Sequence, residues 1–117
     1  MLTSKEIAHL AVKALDDKLA RDIQILKTDK VTVLADYFIL CTAGNSTHRK
    51  TLADEVDKVL SQAGEQPLRR EGYRSGGWTL LDFGCVVVHI FSEEMRSFYS
   101  LDRLWSDAEK IDYKDFL

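Results

Sequence analysis

One proline and two cysteines are all that these 117 residues contain of either type, and each scarcity excludes something. Cys41 and Cys85 are too few and too far apart for the disulfide framework of a small secreted domain. Each lies in an apolar strand-like stretch and is expected to be a reduced core thiol of a cytoplasmic protein. With a lone proline, the chain shows no linker, internal repeat or low-complexity segment. No apolar run approaches the ~18 residues that a membrane span needs. The opening MLTSKEIAHL is too polar for a signal peptide. Charge of one sign is lacking too: 16 Lys+Arg stand against 19 Asp+Glu, a net −3. Such a chain is a poor generic binder of nucleic acid, whose affinity comes from neutralised phosphates, and is better suited to a basic partner.

Catalytic patterns are also missing. There is no HExxH, CxxC, GxGxxG or Walker lysine, and His9, His48 and His89 do not pair at metal-ligand spacing. His89 alternates with valines and reads as a core or rim histidine with a satisfied ring nitrogen. Asp82-Phe83-Gly84 matches the kinase metal-binding triplet, but no phosphate loop or catalytic loop accompanies it, so it reads as a hairpin turn. Gly44-Asn45-Ser46 before a helix, with His48, Arg49 and Lys50 following, offers amides to an anion; a plain strand-to-helix turn with a cap is the simpler reading. Neither a cofactor nor a metal is expected.

The residues present suffice for one domain with a real core, spanning 1–117: 45% of them are hydrophobic and 30% charged. Thr3 and Glu6 form a capping box. Ile7, Leu10, Ala11, Ala14, Leu15 and Leu19 then mark one helix face to about Ala20. Residues 22–27 alternate as a half-buried strand, 28–35 are ambiguous, and 36–43 (DYFILCTA) are a strong strand. Asn45 or Ser46 caps a helix carrying Leu52, Val56, Val59, Leu60 and Ala63, which stops at Gly64. Residues 66–71, holding the proline, form a short edge strand, and 72–77 a glycine-rich loop.

The chain is organised around residues 77–105. Trp78–Leu81 and 86–91 (VVVHIF) read as two strands about a tight turn, the second apolar on both faces and therefore central. Ser92 caps a helical segment, with Glu93 and Glu94 in its first turn. Met95, Phe98, Leu101, Leu104 and Trp105 then recur at helical spacing. The tail, 106–117, is polar enough to be loosely held. The expected fold is α+β, a mixed sheet of about five strands with packed helices. Tyr73, Trp78, Tyr99 and Trp105 lie near Asp82, Glu93, Glu94 and Asp102. Core packing and a protein-binding hot spot explain such a cluster equally well.

The run WTLLDFGCVVVHIFSEEMRSFYSLDRLW, preceded by ADYFILCTAGNS and REGYRSGGW, resembles the ribosomal silencing factor, or Iojap, family over roughly residues 4–105. That resemblance implies binding to the fourteenth large-subunit ribosomal protein (uL14), a block on subunit joining, and repression of translation when nutrients are short. It also implies ribosome assembly for organellar members, homodimers for some, and a fold similar to the nucleotidyltransferases without their activity. Many members carry an acidic residue where this chain has Cys85. The nucleotidyltransferase signature is not met, because Gly44-Asn45-Ser46 precedes a helix and no Asp-x-Asp comes after it. A divergent enzyme of that kind, or an assembly factor, is the competing reading. On the expected partner face, Trp78, Leu81 and Tyr99 are the apolar anchors. Asp82, Glu94 and Asp102 meet basic groups, and Arg96 holds those carboxylates or reaches the partner. A weak homodimer covering part of that face is expected in the free protein.

Overall fold

The computed structural model describes residues 2–29, 35–72, 77–98 and 108–117. The first helix, α1 (Ser4–Asp17), begins as its sequence dictates. The Thr3 hydroxyl accepts from the Glu6 amide at 3.1 Å, and the Glu6 carboxylate accepts from the Thr3 amide at 3.0 Å. Ile7, Ala11, Ala14 and Leu15 are buried along one face. Leu19 is not part of that face. The helix stops at Asp17, and Leu19 takes a left-handed φ of 63° and is 79% exposed. The turn into β1 (Arg21–Lys27) thus leaves its side chain in water.

Strand β2 (Tyr37–Thr42) pairs antiparallel with β1. The ends of the ambiguous segment between them are closed by Thr28, whose amide donates to the Asp36 carbonyl at 2.8 Å and whose hydroxyl donates to the Ala35 carbonyl at 2.8 Å. Helix α2 (Ser46–Gln62) is capped by Asn45, whose side chain accepts from the His48 amide at 2.8 Å. It buries Leu52, Ala53, Val56 and Leu60. Then come the short edge strand β3 (Arg69–Glu71), β4 (Trp78–Asp82), β5 (Val86–Phe91) and α3 (Glu93–Phe98).

Among the described residues six strands form one mixed sheet, in the order β3-β4-β5-β2-β1-β6, where β6 is Glu109–Ile111. β5 is central, as its apolar faces require. It pairs parallel with β2 (Ile39 opposite Val88) and antiparallel with β4 (Leu80 opposite His89). The sixth strand comes from the tail expected to be loose. β6 pairs antiparallel with β1, and the 3-10 turn Tyr113–Phe116 after it seats Phe116, 4% exposed, on the His9 ring and the edge of Tyr37. One anchored aromatic outweighs the polar residues around it.

The two faces of the sheet differ. Tyr37, Ile39, Cys41, Leu81, Val88 and Ile90 point to the face where α1 and α2 pack, and form the main core. The opposite face carries a smaller buried cluster of Leu26, Leu40, Phe91 and Ala108, with Phe38, Trp78 and Met95 packed against it. No described helix is long and apolar enough to cross a membrane.

Both cysteines are free thiols. Cys41 is fully buried in β2, and burial pushes its thiol up to about 12. Cys85 lies in the turn before β5 rather than inside the strand; it is half-buried, and desolvation raises its thiol as well. Neither holds the thiolate that reactive cysteine chemistry needs.

Candidate partner-binding site

Strand alternation places Trp78, Leu80 and Asp82 of β4 beside Val87, His89 and Phe91 of β5 on the face away from α1 and α2. Trp78, Leu80, Val87 and the neighbouring Phe38 of β2 are only half-buried, so this face shows apolar surface to solvent. Between β2 and β4 it dips into a hollow of about 380 Å³ lined chiefly by Phe38, Leu68, Leu80 and Val87. Leu68 stands at its edge, 73% exposed.

The backbone at Trp78 is held on two sides. Gly72 has φ +80°, and a Cβ there would lie 1.9 Å from the Trp78 carbonyl oxygen, so no other residue fits beside this backbone. On the other side the Gly77 carbonyl accepts from the Ser92 amide at 2.7 Å, which binds the start of β4 to the start of α3. Ser92 caps α3 as expected, its hydroxyl accepting from the Met95 amide at 3.2 Å.

The Trp78 side chain is oriented by His89. Its indole Nε1–H donates to His89 Nδ1 at 3.2 Å, and the rings lie 5.8 Å apart. The indole nitrogen only donates, so His89 is the neutral tautomer with its proton on Nε2. The imidazole is 5% exposed, and burial pushes it down to about 4, against the weaker upward pull of Asp82. Phe38 and Phe91 flank it at 5.1 and 6.1 Å between ring centroids. The expected satisfied nitrogen is therefore half of the truth: Nε2 is buried with no hydrogen-bond partner among the described residues.

The other residues expected on this face divide. Leu81 is a correction. It is fully buried on the opposite side of β4, in the core under α1 and α2, and cannot be an exposed anchor. A one-residue step along a strand changes the face, and Leu80 occupies the position that Leu81 was expected to fill. Asp82 is held internally, accepting from the Gly84 amide at 2.7 Å and from Arg69 Nη2 at 3.1 Å. It thus closes the Asp82–Gly84 turn and ties edge strand β3 to β4. Arg96 holds none of the expected carboxylates among the described residues. Its guanidinium donates to Thr42 Oγ1 and to the Asp22 carbonyl, each at 3.1 Å, and so fastens α3 to the ends of β2 and β1. Glu94 is exposed on α3, and its neighbour Glu93 pairs with Arg21. Tyr73, Tyr99, Asp102 and Trp105 lie outside the described residues.

Two amides at the Gly44 turn are already engaged within the chain. Gly44 N–H donates to His48 Nδ1 at 2.9 Å, the His48 amide is taken by Asn45, and His48 Nε2 donates to the Lys18 carbonyl at 2.7 Å. No three His, Cys, Asp or Glu residues gather at metal-binding distance among the described residues.

Known proteins share this sequence pattern and this fold. The family model described as "Ribosomal silencing factor during starvation" matches residues 1–117. The chain is 35% identical over 111 residues to the ribosomal silencing factor of Halalkalibacterium halodurans, covering 95% of each. It is 39% identical over 101 residues to that of Chromobacterium violaceum, covering 86% of this chain and 83% of the other. A crystal structure of a Chromobacterium violaceum protein superposes with a TM-score of 0.87 at 37% identity, over 90% of this chain and 88% of that one. A chloroplastic Iojap protein of Zea mays matches 86% of this chain at 31% identity, though over only 43% of its own length. By sequence and by fold, this chain belongs to the ribosomal silencing factor family.

Proposed function

We propose that this protein binds the large ribosomal subunit through its fourteenth protein, uL14, and blocks joining of the small subunit. Translation is thereby repressed when nutrients are short. The observation that carries this reading is the half-buried apolar face of β4, β5 and β2, with Trp78 at the start of β4 and acidic Glu94 exposed on α3. An aromatic centre with an acidic rim fits a basic ribosomal protein, the apolar part giving affinity and the charges registry. Trp78 and Leu80 are the anchors within the described residues. Tyr99 and Asp102, outside the described residues, are proposed as further partner contacts, and Glu94 meets the partner's cations. The protein acts by occupancy in the cytoplasm and catalyses nothing: steric exclusion of the small subunit needs no chemistry.

The test is co-sedimentation of the purified protein with purified large subunits, followed by addition of small subunits. Wild type should pellet with large subunits and reduce the yield of joined ribosomes. Trp78→Ala should weaken pelleting by about 2 kcal/mol. Glu94→Lys should weaken it less and change its salt dependence. If wild type does not pellet, or both variants pellet like wild type, the assignment of this face is wrong.

A further inference from the structure

We propose that His89 is a positioning residue for ribosome binding, which fixes the Trp78 indole in its docking orientation by accepting its N–H. This rests on the proposed role of Trp78 as an anchor. The imidazole sits in a strand with Phe38 and Phe91 against its ring, opposite Leu80 on one side and Leu40 on the other. An aliphatic residue suits such a place better, because the histidine leaves Nε2 buried without a partner among the described residues. In exchange the imidazole supplies an acceptor 3.2 Å from Trp78 Nε1, which no aliphatic side chain can do. Nor is that acceptor lost to protonation near neutral pH, since burial keeps the ring neutral down to about pH 4.

The consequence is pre-organisation. A tryptophan on an open face has two side-chain torsions to freeze when a partner docks. The hydrogen bond to His89 and the packing of Trp78 on Phe91, with centroids 5.1 Å apart, hold both beforehand. His89 need not touch the partner, because it acts through the orientation of the indole.

The experiment measures two things in the same set of proteins: the solvent-exchange rate of the Trp78 indole N–H by nitrogen-15 NMR, and the affinity for purified large subunits. Trp78→Phe assigns the indole signal and removes the donor. His89→Leu should stay folded, exchange its indole proton faster and lose about tenfold in affinity, the loss expected for one buried hydrogen bond. His89→Asn, which places an amide oxygen near the position of Nδ1, should recover most of both. In the Trp78→Phe background His89→Leu should change affinity little, since there is no N–H left to orient. An equal loss in both backgrounds, or wild-type affinity in His89→Leu, overturns the proposal. His89→Val replaces His89→Leu should the latter not fold. If wild type itself does not bind large subunits, the functional reading fails, and the positioning claim then rests on exchange alone: an unchanged rate in His89→Leu overturns it.

Discussion

Leu80 and Leu81 are chemically identical neighbours with opposite roles. Leu81 is fully buried in the main core, and Leu80 is half-buried on the open face. Truncating Leu81 to alanine should cost about 3 kcal/mol of stability in urea unfolding, with binding by the folded fraction little changed. Leu80→Ala should cost less than about 1 kcal/mol of stability and more than that in affinity for large subunits. The reverse pattern would move the partner face to the other side of the sheet. His89 adds a pH dependence. Burial holds its folded value at about 4, below the ordinary 6.5, so the unfolded chain binds the proton more readily. Stability is therefore complete above about pH 6.5 and falls as the pH drops toward 4, by up to about 3 kcal/mol from this residue. Unfolding free energies of wild type and His89→Leu between pH 7.5 and 4.5 isolate the slope. Parallel curves would show that the ring is not desolvated.

Two elements hold positions that their own composition does not demand. The three-residue strand β6 pairs with β1, and the turn after it is fastened to α1 by Phe116, which stacks 4.4 Å from His9, while the His9 ring nitrogen lies 3.2 Å from the Phe116 carbonyl. Phe116→Ala should lower stability by about 3 kcal/mol. It should also speed amide exchange in β6 and along the β1 edge it covers, and exchange unchanged there would mean that the strand holds by itself. At the opposite edge, the close approach of Gly72 to the backbone of β4 depends on the missing side chain. An alanine there combines a left-handed backbone with a Cβ 1.9 Å from the Trp78 carbonyl. Gly72→Ala should displace β4 and reduce stability by about 2 kcal/mol or more, with the Trp78 indole shift as the local readout.

For the whole molecule, charge and exposed apolar surface set behaviour. A net charge of −3 gives little repulsion between copies, and the half-buried apolar face around Trp78 and Leu80 is surface of the kind that self-association covers, so the expected weak homodimer is testable there. Sedimentation velocity over a hundredfold concentration range should show a weak monomer–dimer equilibrium. Leu80→Asp should shift it to monomer, and a strict monomer at the highest concentration ends the idea. On the proposed reading, in which acidic rim groups meet basic ones across a solvated boundary, affinity for large subunits should fall as salt rises.

Local physics was legible in the chain itself. The Thr3–Glu6 box, the Asn45 cap, the apolar β5 and the Asp82–Gly84 turn each follow from a few adjacent residues, and the mixed α+β sheet follows from their order. The aromatic and acidic run that marks the family could also be read directly, since it is a property of sequence. What only the tertiary structure decided concerns pairs far apart in the chain. A β-strand of leucines does not state which face will meet the helices, so Leu80 and Leu81 exchanged roles. Asp82 was expected to meet a partner, and Arg96 to hold the neighbouring carboxylates or reach that partner, until the fold brought Arg69 to the one and Thr42 and the Asp22 carbonyl to the other. β6 was hidden because its pairing energy comes from β1 and its anchor from α1, some hundred residues earlier in the chain. The hydrogen bond from Trp78 to His89 is of the same kind: two side chains eleven positions apart meet only because the turn between them sets the register of β4 on β5.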